Sequence, residues 1–376
     1  MDNHQFDVLV IGAGIAGASA AVHLAGTHRV ALLERESHPG YHSTGRSAAL
    51  FSETYGNAPV RMLSRASREF LFAPPAGFSD YPLVAPRGAL HIARSDQAAH
   101  IDDFLAMPGV AMSTQLVDAA GVARLCPLLR ADYAIAGVHE PDARDVDVHG
   151  LHQGYLRQIK ASGGSIVTDT TCLELERTGA AWRVRTEHAM FGAPIVVNAA
   201  GAWADEVAGL AGLSPLGIVP CRRTALLVDA PPGLASMPLT IDIEEMFYFK
   251  PDAGKLLLSP CDETPSPPCD VQPDELDIAV AVDRVQTATT LEIARVSRKW
   301  AGLRSFAPDR SPVIGYDARS EGFFWLAGQG GYGIQTAPAA GRLAAALIAR
   351  EPVPSDIADF GVAAEMVSPD RFGKPG

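Results

Sequence analysis

Long apolar runs are missing from this chain: no stretch of about 18 consecutive apolar residues occurs, which rules out a transmembrane helix and leaves peripheral membrane contact open. Blocks of like charge are also missing, and the net charge is -12, so a phosphate backbone would meet repulsion over most of the surface. Nucleic acid is therefore an unsuitable partner. The five cysteines, Cys126, Cys172, Cys221, Cys261 and Cys269, form an odd set without a CxxC pair, which suits neither a disulfide framework nor a zinc site. Reduced thiols in a cytoplasmic protein are the simplest reading. No basic segment precedes the first apolar run at residues 6–15, so it does not read as a signal peptide. No internal repeat is visible, and no Ser-His-Asp set, metal cluster or paired carboxylate stands out.

What is present is a chain of 376 residues with 47% hydrophobic side chains, enough for a large core and, by length, two domains. Val8 to Ile11 reads as a buried strand, Ile15 to Ala25 as a helix of small residues, and Arg29 to Glu34 as the next strand. That order is a βαβ unit, which implies a parallel sheet with a right-handed crossover. Ile195 to Ala199 and Phe323 to Ala327 read as further buried strands of the same sheet. Prolines and short alternating segments at about residues 74–95 and 220–295 predict a second, mainly antiparallel sheet. The expected fold is thus α/β (α+β), with a discontinuous Rossmann-like nucleotide-binding domain over residues 1–75, 145–213 and 300–365. Residues 76–144 and 214–299 form the substrate domain, and 366–376 a loose tail.

Gly12, Gly14 and Gly17 stand as G-x-G-x-x-G directly after a strand and at the opening of a helix. The first permits a tight turn, the second lets backbone approach a pyrophosphate, and the third lets helix lie on strand. Glu34 follows Gly14 by about 20 residues, at the end of the next strand, where a carboxylate accepts ribose hydroxyls. Together they signal a dinucleotide without separating NAD from FAD. Gly328, Gly330 and Gly333 repeat the spacing, but the chain that follows is too short for a second mononucleotide half. That loop reads instead as a turn aiming the positive end of a helix, starting near Gln335 with Pro338 in its first turn, at a flavin ring.

Five segments carry a resemblance: VLVIGAGIAGAS at 8–19, LLERE at 32–36, HSTGRSAA at 42–49, VVNAAGAW at 196–203 and AGQGGYGIQ at 327–335. On these the chain resembles the D-amino-acid oxidase superfamily of FAD enzymes. Through PGYHSTGRSAA, FYFKPDAG, KWAGLRSF and QGGYGIQT it is most similar there to the bacterial D-arginine dehydrogenase type. The resemblance implies noncovalent FAD, with Ser43, Thr44, Ser47, Ala48 and Ala49 beside the flavin and Ala200, Gly201 and Trp203 near the diphosphate and ribityl chain. It places Cys172 at the adenine side through its backbone. Ile15, Ala16, Arg35, Gly302, Gly330, Gly331, Tyr332, Gly333 and Ile334 complete the implied cofactor set. The implied activity is oxidation of D-amino acids by hydride transfer from Cα to flavin N5, giving an imino acid that water converts to a 2-oxo acid and ammonia. Oxygen or a quinone then takes the electrons. N-alkyl amino acids and 2-hydroxy acids are alternative substrates, and an RNA-modifying or non-catalytic flavoprotein is the alternative of another class.

Such chemistry needs cations and phenols to fix a carboxylate. Arg304 and Arg223 offer guanidinium forks, and Tyr248 and Tyr55 hydroxyl donors; all four match substrate-contacting positions of the D-arginine dehydrogenase type. Gln335 is expected to touch the flavin or the substrate amine, and Arg222 to be the exposed neighbour of Arg223. Two positions depart from that type: Ala89 stands where it carries an acid, and Leu50 where it carries a histidine. Without an acid to meet a substrate guanidinium, neutral, apolar D-amino acids are the expected substrates, Glu53 being the residue to suspect of replacing that acid.

Overall fold

A computed structural model describes residues 2–373. Its first layer is a six-stranded sheet in the order Ser165–Val167, Val30–Leu33, Val8–Ile11, Ile195–Asn198, Phe323–Ala327, Val313–Tyr316. The first five strands run parallel and the last antiparallel. Val8–Ile11, Val30–Leu33 and Phe323–Ala327 are buried along their whole length, as apolar strands covered on both faces must be. One face is covered by the helices Ile15–Leu24, Val148–Ala161 and Gly333–Ile348, whose side chains join its core. The other face packs on Leu175, Trp182, Val184 and Phe191, from a four-stranded sheet of Asp2–Gln5, Ala189–Ala193, Ala181–Arg185 and Glu174–Thr178.

The second layer is a ten-stranded sheet. Its order is Gln329–Gly330, Val296–Phe306, Val219–Asp229, Lys255–Ser259, Tyr248–Asp252, Leu239–Asp242, Ala89–Ala93, Ala136–Glu140, Gln115–Asp118, with Thr264–Pro265 pairing alongside Val219–Asp229. Every pairing is antiparallel except Leu239–Asp242 with Ala89–Ala93. The strand Val296–Phe306 runs across residue 300 and pairs with Val219–Asp229 from Val296 to Phe306, so it belongs to this sheet rather than to the parallel one.

Three local expectations are corrected. Pro338 lies inside the helix Gly333–Ile348 rather than in its first turn, because the helix begins at Gly333, two residues before Gln335. The tail is docked as far as it is described: Val367 is buried, and Arg371 pairs with Asp309 at 2.7 Å and donates to the Ser311 carbonyl. Pro375 lies outside the described residues. Arg222 is not an exposed sibling, since its guanidinium holds Asp277 at 2.8 Å at the start of the helix Glu275–Ala288. The five cysteines are free, and no helix among the described residues is long and apolar enough to cross a membrane.

Candidate active site

Two adjoining cavities run between the sheets and share Gly14, Ser43, Thr44, Ala199 and Gly201 at their junction. At that junction the first helix begins, its N-terminal amides and positive dipole end facing the passage. The loop is held from all sides. Gly12 donates to the Leu33 carbonyl, Ala13 donates to Glu34 at 3.0 Å, His152 donates to the Ala13 carbonyl at 2.8 Å, and Ile15 donates to the Thr44 hydroxyl at 3.0 Å. Gly12 has φ +101°, and a Cβ there would lie 2.5 Å from the Ala199 carbonyl oxygen; a Cβ on Gly17 would fall onto the Gly12 carbonyl oxygen.

The first cavity is lined by Gly12, Glu34, Arg35, Cys172, Ala200 and Trp203 beside the shared residues. Glu34 is 8% exposed; one of its oxygens accepts from Ala13 and the other from Glu36, which fixes the carboxylate at the cavity wall. Burial raises its pKa against the pull of those two amides. Arg35 stacks on Trp203 with 4.5 Å from guanidinium to ring, forming a flat lip. The second cavity is lined by Ile15, Ala16, Ser47, Ala48, Ala49, Gly302, Gly330, Gly331, Gly333, Ile334 and Gln335, and at its far end by Tyr55, Arg223, Tyr248 and Arg304. Two buried polar atoms of residues in its lining, Ser305 Oγ and Gln329 Nε2, have no hydrogen-bond partner among the described residues.

This arrangement fits FAD. The glycine cradle and carboxylate form an adenosine and diphosphate site, and the larger cavity beyond offers unpartnered donors to a flat polar ring. Gly17 and Tyr332, expected in contact with the cofactor, do not line either cavity. Gly17 acts through the close helix packing, and Tyr332 turns its ring against Tyr55 at 4.8 Å.

At the substrate end, Arg304 donates to the Tyr55 hydroxyl at 2.9 Å and has no carboxylate within ion-pair distance among the described residues. A guanidinium stays protonated at any physiological pH, so a positive charge faces the cavity. Burial raises the pKa of both Tyr55 and Tyr248, Arg304 opposing it, so each remains a hydroxyl donor. Arg223 is placed in the same cavity but is less available than expected: its Nε donates to the Asp262 carbonyl at 2.8 Å and its Nη2 to Glu263 at 3.1 Å. Gln335 is similarly committed, accepting from the Ser52 amide and donating to Ser64, so it frames the cavity rather than reaching the substrate amine. Glu53 points elsewhere and pairs with Arg68 at 3.0 Å.

The sequence reading missed several wall residues: His91, Leu239 and Ile241 line the substrate end, Ser52 the cavity rim. It also missed Glu140, a buried carboxylate that accepts from the Ser52 and Thr54 hydroxyls and the Glu53 amide, and so fixes the strap leading to Tyr55. Period-two alternation through Ala89 places His91 on the same strand face and could have found it. Glu140 gave no local signal. Gly331 leaves room for the Arg304 guanidinium, since a Cβ there would lie 2.7 Å from Arg304 Nη1. Gly331→Ala is therefore expected to raise the substrate KM about tenfold, measured by steady-state turnover, through displacement of the guanidinium fork.

A family model described as FAD dependent oxidoreductase matches residues 7–347. Glycine oxidase of Geobacillus kaustophilus is 24% identical over 378 residues, covering 96% of this chain and 97% of that protein. Mitochondrial dimethylglycine dehydrogenase of Rattus norvegicus is 23% identical over 397 residues, covering 98% of this chain and 45% of that protein. Among solved structures, L-proline dehydrogenase from P. horikoshii superposes with a TM-score of 0.83 at 22% identity, covering 99% of this chain and 98% of that one.

Proposed function

The chain belongs to the FAD-dependent oxidoreductase family, and from that footing we propose that it oxidises the Cα–N bond of neutral, apolar D-amino acids. The product imine is hydrolysed to a 2-oxo acid and ammonia. The observation that carries this reading is Arg304, a guanidinium in the cavity lining with a phenol as its partner instead of a carboxylate. A substrate carboxylate supplies the missing counter-charge in fork geometry, with Tyr55 and Tyr248 donating to its remaining lone pairs. Bound FAD supplies the hydride acceptor. Leu50, Ala89, Leu239 and Ile241 enclose the rest of the substrate in apolar surface that gives a charged side chain no partner.

The D configuration rests on the resemblance of four segments to the D-arginine dehydrogenase type, PGYHSTGRSAA, FYFKPDAG, KWAGLRSF and QGGYGIQT. A second reading, oxidation of N-alkyl glycines, is favoured by the likeness to glycine oxidase and dimethylglycine dehydrogenase. The free thiols support a reducing compartment and the cytoplasmic placement proposed with it. We assign the cofactor to the unit of residues 1–75, 145–213 and 307–365 and most of the substrate wall to 76–144 and 214–306, the strand Val296–Phe306 moving the boundary from 300. Turnover across D- and L-amino acids, sarcosine, dimethylglycine and 2-hydroxy acids, with the 2-oxo acid identified, tests the assignment. D-Met, D-Leu and D-Phe are expected to lead. A series led by D-Arg or D-Lys overturns the neutral preference, and one led by sarcosine or dimethylglycine selects the second reading.

A further inference from the structure

The strand Ala89–Ala93 alternates its faces: Leu90 and Ile92 enter one core, while Ala89 and His91 both line the substrate end of the cavity. His91 lies in register with Ile241, which in turn faces Tyr248 on the next strand. Two strand spacings put the backbone of His91 about 10 Å from that of Tyr248, on the side away from the strand that carries Arg304. The imidazole is 6% exposed, and Phe104 supports it from behind with ring centroids 4.4 Å apart. Neither ring nitrogen has a hydrogen-bond partner among the described residues.

A histidine that served packing alone would bury its ring nitrogens against protein partners, because a buried polar group left unpaired is costly; the His91 nitrogens are not among the fully buried unpartnered atoms, so they keep access to the cavity that the residue lines. Here the unpaired atoms belong to a wall residue of the cavity whose other end fixes the carboxylate. We infer that His91 is a specificity residue that reads the end of the substrate side chain by hydrogen bonding, so that the preferred substrates include neutral amino acids ending in a carboxamide. This rests on the amino-acid reading proposed above and extends its neutral side chains from apolar ones to carboxamides. Burial pushes the His91 pKa down to about 4, so at neutral pH the ring is uncharged, with one N–H donor and one acceptor nitrogen. A carboxamide offers the complementary acceptor and donor. A guanidinium would meet no counter-charge here, since no acidic side chain lines the cavity and Ala89 stands beside His91.

The test compares kcat/KM for D-Gln and for D-Met, nearly equal in length, in the wild-type holoenzyme and in His91→Leu and His91→Asn. The D-Gln to D-Met ratio is expected to fall about tenfold in His91→Leu, one hydrogen bond lost, and to stay within about threefold of wild type in His91→Asn. An unchanged ratio in His91→Leu overturns the inference while leaving the amino-acid reading intact. If His91→Leu does not fold, the wild-type ratio decides: D-Met preferred over D-Gln by more than about tenfold overturns it. Absence of turnover with either substrate overturns both readings.

Discussion

Arg304→Met is expected to lower kcat/KM for the best amino-acid substrate by about 10²- to 10³-fold, chiefly through KM. The wild-type guanidinium lines the cavity with the Tyr55 hydroxyl as its hydrogen-bond partner and, among the described residues, no acidic side chain within ion-pair distance. Two charge-assisted hydrogen bonds to a substrate carboxylate are worth about 3 to 4 kcal/mol together, and each 1.4 kcal/mol is tenfold. Methionine retains much of the stem volume, so packing against the cavity wall is largely kept. Arg304→Lys should recover only part of the loss, since an ammonium supplies a point charge without the fork. Arg223→Met should cost less, because that guanidinium is already engaged by the Asp262 carbonyl and by Glu263. Steady-state kinetics on protein with matched flavin content decides, and an unchanged kcat/KM in Arg304→Met would remove this residue from the substrate site.

Gly17→Val is expected to yield protein with little or no bound flavin. Any Cβ at this position falls on the Gly12 carbonyl oxygen, a backbone atom that cannot rotate away. Relief requires the helix Ile15–Leu24 to lift from the strand Val8–Ile11, which moves the Gly14 backbone and the helix terminus at the junction of the two cavities. Overpacking of this kind costs at least about 2 kcal/mol, which, if it falls on the cofactor-binding geometry, weakens FAD by at least about 30-fold. Gly26→Ala is the matched control: a Cβ there meets nothing within 4 Å, and its flavin content should equal wild type. Full flavin occupancy in Gly17→Val would show that the loop does not form the diphosphate cradle.

Where the chemistry sits close together in sequence, it was legible. Gly12, Gly14, Gly17 and Glu34 fall within one βαβ unit, and their spacing predicts the wall that the structure builds from Gly12, Gly14 and Glu34. The FAD fold followed from the same unit with the later strands Ile195–Asn198 and Phe323–Ala327, whose continuous apolar runs mark central parallel strands. The substrate wall was less legible because it is assembled by topology. His91 becomes a wall residue only when Ala89–Ala93 pairs with Leu239–Asp242, a pairing between segments far apart in the chain. Glu140 reaches Ser52 and Thr54 through an equally remote contact. Gln335 and Arg223 show the converse: residue type marked them as donors, but Ser52, Ser64, the Asp262 carbonyl and Glu263 already use what they offer. The tail reads as loose from its prolines and charges, but the burial of Val367 and the ion pair of Arg371 with Asp309 dock it.

Anaerobic mixing of the purified holoprotein with D-Met, followed by its visible flavin absorbance, tests the central claim most directly. The account predicts a yellow protein whose absorbance bleaches on mixing, in wild type at far lower substrate concentration than in Arg304→Met. A protein that stays colourless after reconstitution with FAD, or a flavin that no amino acid bleaches, would contradict it.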